Sequence, residues 1–263
     1  MNIEIQIPPE LFTVFNKIVY FDEPHKYYVD NKELISVTTL IHKYQENFDE
    51  EYWSQYKSNQ LGLKQYEIIR AWNFINLKGT TKGSIIHDYA ENLFLNKIFK
   101  YPKELIYKEF GFDPILKEYE ITKKHVDNFY HDTFGKLIPI RTELVMHDAE
   151  TLIGGMLDIL FYNVKMKEFQ IWDWKTNKEF SFENKKNHLL NDLFVLEDCD
   201  LEIYSLQLGI YKYIIEKYIP IKLGKSYLVW FSHNNDNYKI IEAKDRSYFV
   251  NKIIENRKFD LVA

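Results

Sequence analysis

A single cysteine, nine glycines and seven prolines among 263 residues rule out several architectures at once. The lone Cys199 excludes an internal disulfide framework, and equally an iron–sulfur cluster or a four-cysteine zinc site built from this chain alone. A reducing compartment is the expectation. Scarce Gly and Pro argue against low complexity, and no Gly/Ser/Pro-rich linker or internal repeat divides the chain. Long apolar runs are also missing: stretches such as Tyr227 to Phe231 are far too short to span a bilayer, so no membrane partner is expected. Residues 1–20 carry Glu4, Pro8, Pro9 and Glu10 where a secretory leader would need a basic flank and an apolar stretch, so none is expected. There is no excess of positive charge either, the formal net charge being −5. That is a weak veto on nucleic acid, because a local basic groove can coexist with an acidic remainder. What the chain does have is 46% hydrophobic content, enough for one sizeable core, and a single domain over residues 1–263 is expected.

Periodicity divides the chain unevenly. Ile18 to Phe21 and Tyr27 to Val29 read as short strands around a polar break from Asp22 to Lys26, with a turn through Asp30, Asn31 and Lys32. A helical region starting near Ser36 is expected to run on through Tyr44, Phe48, Tyr52, Trp53 and Tyr56. Lys82 to Asn96 has a clear helical stripe, Ile85, Ile86, Tyr89, Leu93 and Phe94, with Gly83 near its start and His87 within it. Another helix is expected over Ile121 to Gly135. Three strands follow, Ile138 to His147, Leu152 to Tyr162 and Glu168 to Lys175, the last two joined by a polar turn at Asn163 to Lys167. After a polar loop come a helix over Leu201 to Tyr218, strands at Ser226 to Phe231 and Lys239 to Ala243, and a final helix from Asp245 to Arg257. A hairpin followed by a helical crossover to a further strand implies a mixed sheet in an α/β domain.

Two runs stand out chemically, Gly154-Gly155-Met156-Leu157-Asp158 and Ile171-Trp172-Asp173-Trp174-Lys175, because each sets a carboxylate into an apolar strand. Burying such a group without a partner costs several kcal/mol or neutralises it, so two of them ending consecutive strands suggest a shared counter-charge, most simply a metal ion. Side chains alternate along a strand, so Asp173 and Lys175 share one face and Trp172 and Trp174 the other. Spacing alone proves nothing: Asp30/Lys32, Glu183/Lys185 and Glu242/Lys244 show the same acidic-x-Lys pattern, but in polar turns or strand ends that water can solvate. Two carboxylates that fix divalent ions, with an ammonium to orient water and offset developing charge, suit metal-assisted attack of water on a phosphodiester. Oxygen donors favour Mg²⁺ or Mn²⁺.

Four blocks occur together: Gly83-x-x-x-His87, Gly155-x-x-Asp158, Asp173-Trp174-Lys175-Thr176 and Gln207-x-x-x-Tyr211. In order and element type they resemble the RecB-like branch of the PD-(D/E)XK nuclease superfamily. The resemblance implies an αβββαβ core with a mixed central sheet over residues 80–232, an N-terminal strand and helix extension over 1–79, and a C-terminal strand and helix over 233–263. It implies that His87, Asp158, Asp173 and the backbone carbonyl of Trp174 bind one or two Mg²⁺ or Mn²⁺ ions. Lys175 would be the catalytic lysine, with Gln207 and Tyr211 lining the cleft or contacting the nucleic-acid backbone. Trp174 departs from the pattern, which more often has a small aliphatic or Tyr there, but only its carbonyl is needed. The segment from Tyr28 to Thr39 is also similar to phage-type exonucleases and the mitochondrial genome maintenance exonuclease. The implied activity is a deoxyribonuclease working on single-stranded DNA ends in bacterial or phage replication, recombination or repair, hence in the cytoplasm of a bacterium or infected host. A duplex or structure-directed endonuclease, and an inactive DNA-binding module on the same fold, are the alternatives.

Plainer readings exist for each residue. A histidine on an apolar helix face is commonly a packed side chain, Asp158 a hydrogen-bond hub, and Asp173 with Lys175 a surface ion pair worth under about 1 kcal/mol. Glu143, on the first strand of the meander, fits either a partly exposed sheet position or a carboxylate at or behind the metal. Ser36, Thr38 and Thr39 fit an ordinary helix cap or a phosphate contact. Lys178, Lys185, Lys186, Trp53 and Trp72 fit a DNA path, or a solvated loop and helix packing.

Overall fold

A computed structural model describes residues 5–21 and 26–262. Most of the polar break expected after Phe21 lies outside the described residues. The chain runs α1 (Glu10–Thr13), β1 (Val19–Phe21), β2 (Lys26–Val29), β3 (Lys32–Ser36), α2 (Val37–His42), α3 (Glu50–Leu61), α4 (Gln65–Phe94), α5 (Lys103–Phe110), α6 (Leu116–Thr133), β4 (Leu137–Asp148), β5 (Ile153–Asn163), β6 (Glu168–Lys175), α7 (Asp200–Tyr218), β7 (Tyr227–Trp230), β8 (Lys239–Glu242) and α8 (Ser247–Asp260).

The strands form one mixed sheet flanked by helices. β4, β5 and β6 are an antiparallel meander, β6 and β7 are parallel across the α7 crossover, and β8 pairs antiparallel with β7. β1, β2 and β3 make an antiparallel extension that joins the sheet where Ile35 and Ser36 pair in parallel with Ile153 and Gly154. Both faces are covered, which explains the nearly unbroken apolar character of β5 and β6. On one face lie Ile159, Phe161, Trp172, Trp174, Val229 and Phe231, packed with Ile85, Ile86 and Phe94 of α4 and Phe129 of α6. On the other lie Leu144, Leu157, Ile171 and Leu228, packed under α2, α7 and α8.

Several helix boundaries differ from expectation. The region from Ser36 onward is two helices, because Ser36 caps α2 by accepting the Thr39 amide and Asp49 caps α3 by accepting the Tyr52 amide. Gly62, at φ 69°, ends α3 in the left-handed conformation that glycine adopts without strain. α4 begins at Gln65 and runs for 30 residues, about 45 Å at 1.5 Å per residue, so Gly83 is mid-helix and a division at 79/80 would cut it. The apolar stripe marks only its C-terminal half, the part that lies on the sheet. Its N-terminal half packs on α3, with Ile68 buried but Tyr66, Phe74 and Ile75 exposed, making a two-helix arm. α5 was not anticipated from periodicity.

α7 is held to α8 by a buried charge cluster. Glu202 accepts from Arg246 Nε at 2.6 Å and Nη2 at 2.8 Å and from Lys244 Nζ at 2.6 Å, with its side chain 5% exposed. Burial opposes ionisation of Glu202, but the two cations outweigh it and hold the carboxyl below its ordinary value. Removing the anion leaves two cations facing each other, and because Lys244 and Arg246 are themselves 40% and 21% exposed, water offsets part of the ~3–5 kcal/mol that breaking a fully buried pair costs. Glu202→Ala should therefore lower the urea midpoint strongly at pH 7. Because the folded carboxyl is the stronger acid, its contribution is present above about pH 4.3 and fades as pH falls, so the wild-type/variant gap should narrow in acid.

Candidate metal centre

The site lies where β5 loses a partner. β4 pairs with β5 along its whole length, so β3 and β6 must share the other edge: β3 takes Ile153 and Gly154, and β6 takes Ile159 to Asn163. Residues 155 to 158 have no strand partner there, and the sheet opens as a fork between β3 and β6. Gly155 sits in this opening under Tyr211 of α7; a Cβ on it would come 2.6 Å from the Tyr211 ring. Ser36, which ends β3 and caps α2, pairs with Gly154 at the other lip.

Register sets three carboxylates in a row across the fork. The β4–β5 pairing that matches Thr142 with Ile159 and Leu144 with Leu157 places Glu143 beside Asp158. The β5–β6 pairing ends with Ile159 against Trp172, and the next step places Asp158 opposite Asp173. Instead of continuing the ladder, Asp158 Oδ2 accepts the backbone N–H of Trp174 at 2.6 Å. The row also marks a kink: Ile159 packs and Thr142 bonds toward α4, whereas Leu144 and Leu157 pack toward α7. In a regular strand residues two apart share a face. Glu143 absorbs the change with φ 44°, a left-handed conformation that costs a non-glycine residue about 1–3 kcal/mol.

Helices complete the arrangement. α4 brings His87, whose Nδ1 lies 3.2 Å from Asp158 Oδ1. Ligand atoms of His87, Glu143 and Asp158 all lie within 4.8 Å of one another. On the α7 side, Lys175 Nζ is 2.6 Å from Asp173 Oδ2 and donates to Gln207 Oε1 at 3.2 Å, while Gln207 donates to the Tyr211 hydroxyl at 3.1 Å. Lys175 Nζ also lies 4.0 Å from the ring centre of Tyr204, whose hydroxyl accepts from Asn177 at 2.7 Å.

Electrostatics follow from this crowding. Burial and the charge on Asp158 push Glu143 up to about 8. Burial pushes Asp173 up to about 6, against the pull of Lys175 and with the push of Asp158. Burial would raise Asp158 too, but His87 and Lys175 outweigh it and hold it low. His87 in turn is carried to about 9 by Asp158 despite burial. Burial disfavours the charge on Lys175, yet Asp173 and its neighbours keep the ammonium protonated.

The donors fit a hard divalent cation. Two carboxylates and an imidazole converge, and the buried Asp173 Oδ2, though near Lys175, has no hydrogen-bond-aligned partner. Glu143 ionises at neutral pH only with more positive charge beside it. Of the expected ligands, His87 and Asp158 converge with Glu143, and Asp173 lies opposite Asp158 in the register and against Lys175. Tyr204 was missed, although its spacing of three and seven from Gln207 and Tyr211 places all three on one helix face. Ser36 acts as a cap, its hydroxyl also meeting those of Thr38 and Thr39 at 3.0 and 2.7 Å. Lys178 is exposed just beyond β6, Lys185 and Lys186 are exposed farther along the same loop, and Trp53 is 43% exposed rather than packed.

No family model matches the chain, and no curated protein matches it. Among solved structures, a protein of Eubacterium rectale described provisionally as an exonuclease is 10% identical, with a TM-score of 0.39 over 70% of this chain and 65% of that one. The chain therefore spans less than two thirds of that protein's length. The protein SSO0001 is 12% identical, with a TM-score of 0.29 over 70% of this chain and 87% of that one. At such scores neither likeness bears on function, and geometry has to carry the reading.

In the presence of chelator, stability should fall as pH rises from about 5 to 8. Glu143 keeps its proton to about 8 in the folded protein but loses it near 4.3 when unfolded. The folded state therefore binds more protons throughout that window, and raising pH favours unfolding. Urea midpoints at each pH measure this. Glu143→Gln should flatten the slope, and Mn²⁺ should raise the wild-type midpoint at pH 7 far more than that of the variant.

Proposed function

We propose that this chain is a divalent-metal-dependent deoxyribonuclease of the PD-(D/E)XK type, RecB-like branch, acting as an exonuclease on single-stranded DNA ends in bacterial or phage DNA metabolism. The observation that carries the reading is the row Glu143–Asp158–Asp173 across the sheet fork, with His87 and Lys175 closing on it from opposite sides. His87, Asp158 and Asp173 hold Mg²⁺ or Mn²⁺ in this reading, with Glu143 at or behind them. The carbonyl of Trp174 belongs to the same set: the N–H and C=O of a strand residue point to the same edge, and this N–H is held at Asp158. A bound Mg²⁺ or Mn²⁺ would polarise the phosphate and lower the pKa of water.

The protein's own groups supply the rest. Lys175, kept charged by Asp173 and fixed by Gln207 and the face of Tyr204, orients the attacking water and offsets negative charge on the phosphorane oxygens. Gln207 and Tyr211 brace it along α7. In this reading Ser36, Thr38 and Thr39, at the other lip of the fork, and Lys178, just past Lys175, meet the DNA backbone. Exposed Tyr52, Trp53 and Tyr56 on the α3–α4 arm, in edge-to-face contact at 5.2 and 5.8 Å, offer ring faces to unpaired bases, which favours a single-stranded substrate.

End-labelled single- and double-stranded DNA incubated with Mg²⁺ or Mn²⁺ tests the reading. Wild-type protein should release nucleotides from single-stranded ends, and Asp173→Ala and Lys175→Ala should each lose at least about 100-fold in rate. No hydrolysis in either metal would sink the nuclease reading, and calorimetric metal and DNA binding without turnover would indicate a non-catalytic module. Cleavage of covalently closed single-stranded circles would replace the exonuclease with an endonuclease.

A further inference from the structure

Beside the candidate metal centre is a second feature, of which the chemistry above uses only Lys178. A cleft of about 680 Å³ opens between α4, the start of α6 and the segment after β6, lined among others by Phe74, Lys78, Lys82, Glu118, Lys178 and His233. It adjoins the site directly: a Cβ on Gly83 would lie 3.3 Å from the Thr176 hydroxyl, one residue past Lys175.

Its charge exceeds what a structural clamp needs. Glu118 receives Lys78 Nζ at 2.6 Å, Lys82 Nζ at 3.4 Å and His233 Nδ1 at 3.5 Å. One lysine would satisfy that carboxylate. The second, Lys82, is 4% exposed, an expensive position for an ammonium, and its other neighbour is His233 Nδ1 at 3.3 Å. With Lys178 the cleft holds three ammonium groups against one carboxylate.

The helix wall is bare where a strand would pass. Gly79 and Gly83 are four apart on α4 and both line the cleft; a Cβ on Gly79 would meet nothing within 4 Å. Glycine is disfavoured within a helix relative to alanine, and at Gly79 it leaves room for close approach to the backbone. At the far end Phe74 is 40% exposed and lies roughly parallel to Phe112, at 6.3 Å and 19°, forming the beginning of an aromatic stack.

We propose that this cleft binds one nucleotide of a nucleic-acid strand, with its phosphate on Lys78, Lys82 and Lys178 and its base against Phe74, and so presents the neighbouring phosphodiester to Lys175. The inference rests on the reading that the substrate is nucleic acid. Anisotropy of a fluorescent single-stranded oligonucleotide with the full chain, in Ca²⁺ in place of Mg²⁺, measures it apart from hydrolysis.

Gly79→Leu fills the cleft while improving helix propensity, so the variant should melt no lower than wild type yet bind about tenfold more weakly. Phe74→Ala should weaken binding at least about fivefold through lost stacking. Lys178→Ala should reduce the slope of log Kd against log salt by about one. Unchanged binding in Gly79→Leu and Lys178→Ala, or no binding by the wild type, would overturn the cleft assignment. If the wild type hydrolyses DNA while those variants bind normally, the nuclease reading stands and the cleft falls. If it hydrolyses nothing but Gly79→Leu loses binding, the cleft stands and the nuclease reading falls.

Discussion

Carboxylates on neighbouring strands repel one another, and the site is organised by the need to balance Glu143, Asp158 and Asp173 with positive charge. Asp158 remains ionised because His87 and a backbone amide face its two oxygens. Asp173 is drawn toward Lys175, and Glu143 is left as the group that gives up its charge. In an uninterrupted sheet such a row would be sealed between helices. Here the edge of β5 from 155 to 158 is released from strand pairing, and at Gly155 Tyr211 and Val37 approach that edge instead, with Asp158 and Asp173 still buried. The left-handed backbone at Glu143 and the change of face between β5 residues 157 and 159 are the local strain that accompanies the opening.

The two covering layers contribute differently. α4 brings an imidazole from one face of the sheet, and α7 brings Tyr204, Gln207 and Tyr211 from the other, so neither helix alone makes a site. Gly155 allows Tyr211 to lie against the strand, since any side chain there would occupy the ring's place. α4 also links regions with different chemistry. Its C-terminal half is anchored in the core by Ile85, Ile86 and Phe94, its middle exposes backbone beside Lys78 and Lys82, and its N-terminal half carries aromatic groups away from the sheet with α3. A continuous helix links these surfaces to His87 and the carboxylate row.

Much of the sheet was legible. β4, β5 and β6 announced themselves by β-branched and aromatic runs broken by polar turns, and α7 by its apolar periodicity. Asp158 and Asp173 stood out because ionised groups in such apolar settings demand partners. The first half of α4 was obscure for the converse reason: exposed Tyr66, Phe74 and Ile75 do not form a stripe, and the arm packs mainly on α3, with scattered aromatic contacts from Phe48, Phe110 and Phe112. The break between α2 and α3 depended on Asp49 finding the Tyr52 amide, a capping contact that competes with helix continuation. Glu143 fitted an exposed sheet position as well as one at or behind the metal, and Tyr204 looked like any helix aromatic, until they were placed beside their neighbours.

From its residues alone, the chain determines that Asp173 and Lys175 share a face opposite Trp172 and Trp174, and that Gln207 and Tyr211 share a helix face. These are consequences of backbone periodicity over a few residues. Which carboxylates meet His87, how Tyr204 comes to lie against Lys175, and where β5 is left without a partner depend on register between segments far apart in sequence. The same side chains would support other pairings in isolation. Packing α4 and α7 on opposite faces of one forked sheet selects among them, because that arrangement buries the apolar faces while bringing His87 and Lys175 to the charged row.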